Sequence, residues 1–415
     1  MERLIVVGGK PLKGTVRVGG SKNAALPLIF ATILTENACT IENLPSIRDV
    51  EMSLEILTSM GATVRYLDRT TVEIDTKDLR PALPPPGLVS ALRASTYLMG
   101  AMLGRFGRAY VQDFGGCNFS PRPIDMHLYA ARMLGASIEE NTLSAPGGLH
   151  GAILAFNKVS VGATVNALLM SVTAKGTTVI ENAACEPHVD NLILFLRSMG
   201  AQILRIGTSL VIEGGALRGG RASVVGDMIE GGTYLLAGLA TGGCVTVTGC
   251  DSAHLSSFLS LLSEGGARVV IQNGKITLSG ALSSPLLIKT APYPAFPTDL
   301  QPQTAAVLAV HMGGVVTEEV FPHRFGYLSA LETMGLSFVK NGSTAYIFPS
   351  RLIPATVTAT DLRGGAALLL AALSAKGESV IEGASCILRG YEDIVEKFSS
   401  LGADIKLIKE NEKGS

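Results

Sequence analysis

Two kinds of apolar segment recur along this chain. The first is apolar on nearly all sides and rich in Ala and Leu: residues 24–34, 91–103, 162–173, 231–240, 301–312 and 363–374. That pattern predicts buried helices. The second carries an apolar stripe at helical spacing, as from Val50 to Met60 and from Tyr391 to Leu401, and predicts amphipathic helices. These end in a recurring triplet: Met60-Gly61-Ala62, Leu134-Gly135-Ala136, Met199-Gly200-Ala201, Gly265-Gly266-Ala267, Met334-Gly335-Leu336 and Leu401-Gly402-Ala403. The central glycines stand 74, 65, 66, 69 and 67 residues apart, each where a helix would stop on a left-handed residue. Gly-containing turns and short alternating strands follow the apolar segments, as in residues 174–181 and 375–382. The chain therefore reads as six repeats, each with a buried helix, an amphipathic helix and several strands. The fold class is α/β (α+β). Six such units exceed one core, so two domains of three repeats are expected.

Composition narrows the classes of function. With a formal net charge of -1, the overall charge points to neither nucleic acid nor an anionic membrane as a partner. The cysteines Cys39, Cys117, Cys185, Cys244, Cys250 and Cys386 are scattered without a CxxC pair. This argues against a zinc site or disulfide framework and for a reducing compartment, hence a cytoplasmic protein. Residues 1–8 lack the apolar core of a signal peptide. Glycines and charges interrupt every apolar run before about 18 residues, so no membrane-spanning helix is expected.

Candidate chemistry gathers in two places. The loop from Gly115 to His127 sets Cys117 after two glycines, Arg122 between Pro121 and Pro123, and then Asp125 and His127. Glycine and proline exclude regular structure there, and a cation nearby suits a reactive thiol. The second place is the starts of the buried segments: Lys22-Asn23, Arg93, Ser160-Val161-Gly162, Asp299, and Asp361 with Arg363. Helix N-termini favour anions, so several such ends with added cations describe a site for a polyanionic substrate. Each residue alone reads better as a cap or a surface charge, and it is their recurrence at one position of the repeat that points to a site.

These motifs resemble the enolpyruvyl transferase family, in its branch acting on UDP-N-acetylglucosamine. The resemblance runs along essentially the whole chain. It is carried by residues 20–27, 92–95, 115–127, 158–164 and 181–184, by Thr290-Ala291-Pro292 and Phe296-Pro297-Thr298-Asp299, by Phe321 and Arg324, and by residues 359–363 and 389–392. It implies a two-domain inside-out α/β barrel of six βαβαββ-type units, three per domain, around buried parallel helices. The first domain would span 21–226, and the second 1–20 plus 227–415. It further implies transfer of the enolpyruvyl group of phosphoenolpyruvate to the 3-hydroxyl of UDP-N-acetylglucosamine, without metal or organic cofactor.

By position, the resemblance makes Cys117 the proton donor and covalent residue, and Asp299 the base for the hydroxyl. Lys22, Arg122 and Arg389 would neutralise phosphoenolpyruvate, with Arg93 helping the same cluster or holding a closed form. Asn23 would hold the sugar. Pro123, Asp125, His127, Lys158, Ser160, Val161 and Gly162 would hold uridine and diphosphate, with Val320 and Phe321 beside them. Asp361 and Arg363 would position the intermediate. The chain departs from the family pattern at Cys185, His188, Met228 and Phe119-Ser120-Pro121. Two other readings keep these motifs: a transferase for another acceptor alcohol, and a nucleotide-sugar-binding regulator. Retention of Lys22, Cys117, Asp299, Arg363 and Arg389 favours catalysis.

Overall fold

The computed structural model of the chain describes residues 2–111, 114–115 and 123–409. They form two compact units. The described residues of 20–225 make one, and residues 2–19 with 226–409 make the other. Each unit is built on its own apolar core. No helix among the described residues is long and apolar enough to cross a membrane.

Three buried helices carry the core of the first unit: Lys22–Ala31, Tyr97–Phe106 and Val161–Ser171. Met228–Ala240, Gln301–Ala309 and Leu362–Ser374 carry the second. Two expected helices differ from the sequence pattern. The segment 91–103 is not one helix. Leu92 is extended, a 3₁₀ turn occupies Arg93–Thr96, and the buried helix begins only at Tyr97 and stops at Gly107, whose φ is 64°. The Ser95 hydroxyl donates to the Val89 and Leu92 carbonyls, and such bonding competes with helix propagation. The segment from Tyr391 to Leu401 is helical only over Ile394–Ser400, because Asp393 has φ 48° and Tyr391 folds into the core.

The repeated glycines share one geometry. Gly61, Gly135, Gly200, Gly266, Gly335 and Gly402 all have φ between 91° and 104°. After each, the next residue's N–H donates to a carbonyl five residues back: Ala62 to Leu57, Ala136 to Ala131, Ala201 to Leu196, Ala267 to Leu262, Leu336 to Leu331 and Ala403 to Phe398, each at 3.0 Å. This closure satisfies an orphan helix carbonyl and needs a residue tolerant of positive φ. Each one launches a strand: Thr63–Tyr66, Ser137–Glu139, Gln202–Ile206, Arg268–Gln272, Ser337–Asn341 and Asp404–Lys409.

Among the described residues the strands form six sheets, five of four strands and one of three. In one of them Ile153–Ala155 runs parallel to Thr177–Glu181, while Ser209–Glu213 and Gln202–Ile206 add antiparallel. The N-terminal strands complete the second unit. Glu2–Gly8 lies between Gly377–Glu382 and Asp404–Lys409, and Lys13–Arg17 runs parallel to Cys244–Thr248. In the first unit the late strand Arg221–Ser223 returns to pair with Cys39–Glu42.

A polar pin crosses the first core. Asn166 is fully buried; its Oδ1 accepts from the Gly100 N–H at 2.7 Å, and its Nδ2 donates to His127 Nδ1 at 2.9 Å. A Cβ on Gly100 would lie 2.5 Å from that oxygen, so the two helices approach this closely only because Gly100 has no side chain. Burial first, and Arg93 second, push the His127 imidazole down to about 4, with Asp125 opposing. The ring is therefore neutral at pH 7, its Nδ1 accepting and its Nε2 carrying the proton.

Two outcomes follow for stability. Gly200→Ala and Gly402→Ala place a Cβ in open space and should cost only backbone strain, about 1–2 kcal/mol in denaturant unfolding. Gly61→Ala brings its Cβ to 2.8 Å from the Asp78 carbonyl oxygen and should cost clearly more; equal losses would refute this account. For His127 the folded value lies below the ordinary 6.5, so the unfolded chain takes up its proton first. Its contribution is then complete above about pH 6.5 and is lost as pH falls towards 4, at about 1.4 kcal/mol per unit. The stability difference between wild type and His127→Gln should shrink over that window; a difference independent of pH would contradict it.

Candidate active site

In the first unit the buried helix Lys22–Ala31 begins with a cation, which its own dipole disfavours. Asp49, buried on the helix Arg48–Ser59, offsets this with a 3.3 Å ion pair to Lys22 Nζ. Asn23 follows on the same first turn, partly exposed. Ser160 caps the helix Val161–Ser171, its hydroxyl accepting from the Ala163 N–H at 3.3 Å. A Cβ on Gly162 would lie 3.1 Å from the His127 ring, so that helix start and His127 are neighbours. Arg93 and Asp125 both act electrostatically on His127. The structure thus brings Arg93, Asp125, His127 and Gly162 together, with Ser160 and Val161 at the same helix end. Pro123 and Lys158 are exposed nearby in sequence. Cys117 and Arg122 lie outside the described residues, as do Phe119, Ser120 and Pro121.

In the second unit the centre is Asp299. Its Oδ1 accepts from Arg324 Nη1 at 2.7 Å, and its Oδ2 accepts from Arg363 Nε and Nη2, each at 3.1 Å. Two guanidiniums on one carboxylate fix both its position and its plane. Asp361 caps the helix Leu362–Ser374, its Oδ1 accepting from the Arg363 and Gly364 N–H groups at 3.0 and 2.9 Å. Arg363 is only 1% exposed, and its guanidinium lies 5.4 Å from the Tyr391 ring centroid. Burial works against that charge, but Asp299 and Tyr391 more than offset it and raise its pKa above the ordinary arginine value. Arg363 Nη1 is buried without a hydrogen-bond partner among the described residues.

Val320 and Phe321 follow the strand Gly314–Glu318, and the Glu318 carboxylate accepts from both of their N–H groups. Arg389 closes the short helix Ser385–Leu388, two residues before Tyr391. The structure therefore gathers Asp299, Asp361 and Arg363, and links Val320-Phe321 to them through Glu318. Sequence reasoning assigned no role to Arg324, Glu318, Tyr391 or Asp49. Arg324 stood within a recognised motif. Glu318 had one signal: strand alternation places it on the inward side with Val316.

Among the departures, Cys185 is not isolated from cations. Arg205 Nη1 lies 3.3 Å from its Sγ, and Arg205 Nη2 donates to the Ala184 carbonyl at 3.1 Å. Burial still pushes the thiol up, with Arg205 opposing.

Comparison with known proteins places this geometry. The sequence model of the EPSP synthase (3-phosphoshikimate 1-carboxyvinyltransferase) family matches residues 6–398. The chain is 41% identical over 420 aligned positions to UDP-N-acetylglucosamine 1-carboxyvinyltransferase 2 of Streptococcus mutans, covering 99% of this chain and 100% of that protein. It is 42% identical to the protein of the same name in Bacillus cereus, covering 98% and 96%. Among solved structures, the enolpyruvyl transferase NikO from Streptomyces tendae superposes with a TM-score of 0.85 at 27% identity, over 99% of each chain. EPSP synthase from Acinetobacter baumannii shares the fold, with a TM-score of 0.74 at 18% identity, over 99% of this chain and 100% of that one. With its six-repeat, two-unit architecture and its match along nearly the full length, the chain belongs to the EPSP synthase family of enolpyruvyl transferases.

Proposed function

We propose that this chain transfers the enolpyruvyl group of phosphoenolpyruvate to the 3-hydroxyl of UDP-N-acetylglucosamine and releases phosphate, as the first committed step of peptidoglycan synthesis in the cytoplasm. Full-length similarity to proteins named for that transfer carries the reading. The Asp299 cluster supports it. The reaction adds an alcohol across an enol ether and then eliminates phosphate. The sugar hydroxyl must lose a proton while C3 of phosphoenolpyruvate gains one. Asp299 is the group for the first task, its carboxylate held in place and in plane by two guanidiniums. Cys117 is the group for the second and can hold the phospholactoyl adduct. Lys22, Arg122 and Arg389 neutralise the phosphate and carboxylate, with Arg93 beside them. Asn23, Pro123, Asp125, His127, Lys158, Ser160, Val161, Gly162, Val320 and Phe321 hold the nucleotide sugar, and Asp361 and Arg363 position the intermediate.

Asp299→Asn should lower phosphate release about 100- to 10,000-fold. It should also cost stability, because Arg363 and Arg324 each lose a charged partner. A folded variant with near-normal turnover would remove Asp299 from the role of base.

Fosfomycin, an epoxide phosphonate resembling phosphoenolpyruvate, should alkylate Cys117 alone of the six cysteines, faster with UDP-N-acetylglucosamine present. Burial pushes Cys250 up to about 12 and also raises Cys39, so neither offers a thiolate. Cys244, which is exposed, is the internal control for non-specific alkylation. Peptide mapping that finds Cys117 unlabelled would refute its assignment.

A further inference from the structure

Glu318 has no step in the reaction above, yet its carboxylate is fully buried and fully engaged. Oε1 accepts from Thr290 Oγ1 at 2.7 Å, from the Val320 N–H at 2.9 Å and from the Phe321 N–H at 2.8 Å. Oε2 accepts from Thr298 Oγ1 at 2.9 Å. The donors are neutral groups on three separate stretches of chain: the end of the strand Leu286–Thr290, the 3₁₀ turn Thr298–Leu300, and the loop after Gly314–Glu318.

The bond to Thr298 has a direction. Thr298 Oγ1 donates its single proton to Glu318 Oε2. The lone pairs of that hydroxyl then face Arg324, whose Nη1 donates to it at 3.0 Å. The same nitrogen donates to Asp299 Oδ1 at 2.7 Å. Arg324 also lies 5.8 Å from the Phe321 ring centroid. One carboxylate therefore holds the Val320-Phe321 backbone through one oxygen and aims Arg324 at Asp299 through the other.

We propose that Glu318 is a positioning residue that couples the acceptor-binding segment Val320-Phe321 to the base Asp299, by way of Thr298 and Arg324. An acceptor seated on that segment then meets the base in register. The inference rests on the reading of Asp299 as the base. A carboxylate that merely stiffened the loop would need no link to Thr298.

The test separates the two oxygens of Glu318. Thr298→Val removes the hydroxyl, cuts the link to Arg324 and leaves the three bonds to Oε1. It should lower kcat for phosphate release about 10- to 100-fold, the cost of a misaligned group, while changing KM for UDP-N-acetylglucosamine less than about twofold. Thr298→Ser restores the hydroxyl and should recover most of the rate. Glu318→Gln puts an amide N–H where Thr298 now donates; it should lower kcat similarly and also raise the acceptor KM. The Thr298→Val/Glu318→Gln double variant should lose no more kcat than Glu318→Gln alone, because both act on one path. A folded Thr298→Val with normal kcat, no rescue by Ser, or kcat losses that multiply would overturn the proposal.

A crystal structure of Thr298→Val supplies a readout independent of turnover: the Arg324 Nη1 to Asp299 Oδ1 contact should open beyond hydrogen-bond distance, and an unchanged contact overturns the link. A wild-type protein that released no phosphate, or an Asp299→Asn variant that released it normally, would instead refute the reading beneath it.

Discussion

A guanidinium inside an apolar helix is the constraint around which the second unit is arranged. Arg363 lies in the first turn of Leu362–Ser374, where every residue from Leu362 to Leu373 is buried. Desolvation and the positive end of the helix both oppose a cation there. The surrounding groups offset this. Asp299 takes two of its N–H groups, and the Tyr391 ring lies alongside. Tyr391 is itself held, its hydroxyl 2.9 Å from Thr233 Oγ1 and accepting from Gln303 Nε2 at 3.2 Å. Removing one partner of such a pair is far more harmful than the pair is favourable, because it leaves the other charge buried alone. Asp299, Tyr391, Thr233 and Gln303 are thereby committed by the presence of Arg363, and the site's geometry is also a condition of the core's stability.

The first unit solves a similar problem with smaller charges. Lys22 opens a buried helix and is balanced by Asp49 on the neighbouring one. Arg93, half-buried, keeps its charge beside a histidine that stays neutral, so no second cation competes with it. In both units a cation stands near a helix start, where the free N–H groups already favour anions. That combination suits phosphate and carboxylate ligands. It does not by itself choose among acceptors.

Much of the fold was legible because the repeat is written in residues with few conformational alternatives. The six glycines adopt one backbone geometry, and the apolar segments became helices wherever side chains did not compete. Where they did compete, the pattern misled: Ser95 bonds to carbonyls behind it, and apolarity cannot report that. The site was less legible. An aspartate before a buried helix reads as a cap or as a base, and only the folded chain shows that its oxygens lie on two guanidiniums. Glu318 was hidden by Glu319, since two adjacent acids look solvent-exposed. Alternation alone pointed inward, and a buried acid needs the four donors that only the folded chain assembles.

The repeat also shows where symmetry was given up for chemistry. Ser160, Asp227 and Asp361 cap their own buried helices with a side chain. The helices starting at Tyr97 and Gln301 have no such cap; each is entered through a 3₁₀ turn, Arg93–Thr96 in one unit and Thr298–Leu300 in the other. These are the second repeats of their respective units. The tighter turn satisfies part of the helix start by itself, which releases the side chains there from capping. One unit uses that freedom for a cation, Arg93, and the other for an anion, Asp299. The scaffold is duplicated, but the same backbone device carries opposite charges, so the pseudo-symmetry of the fold does not extend to the electrostatics of its two halves.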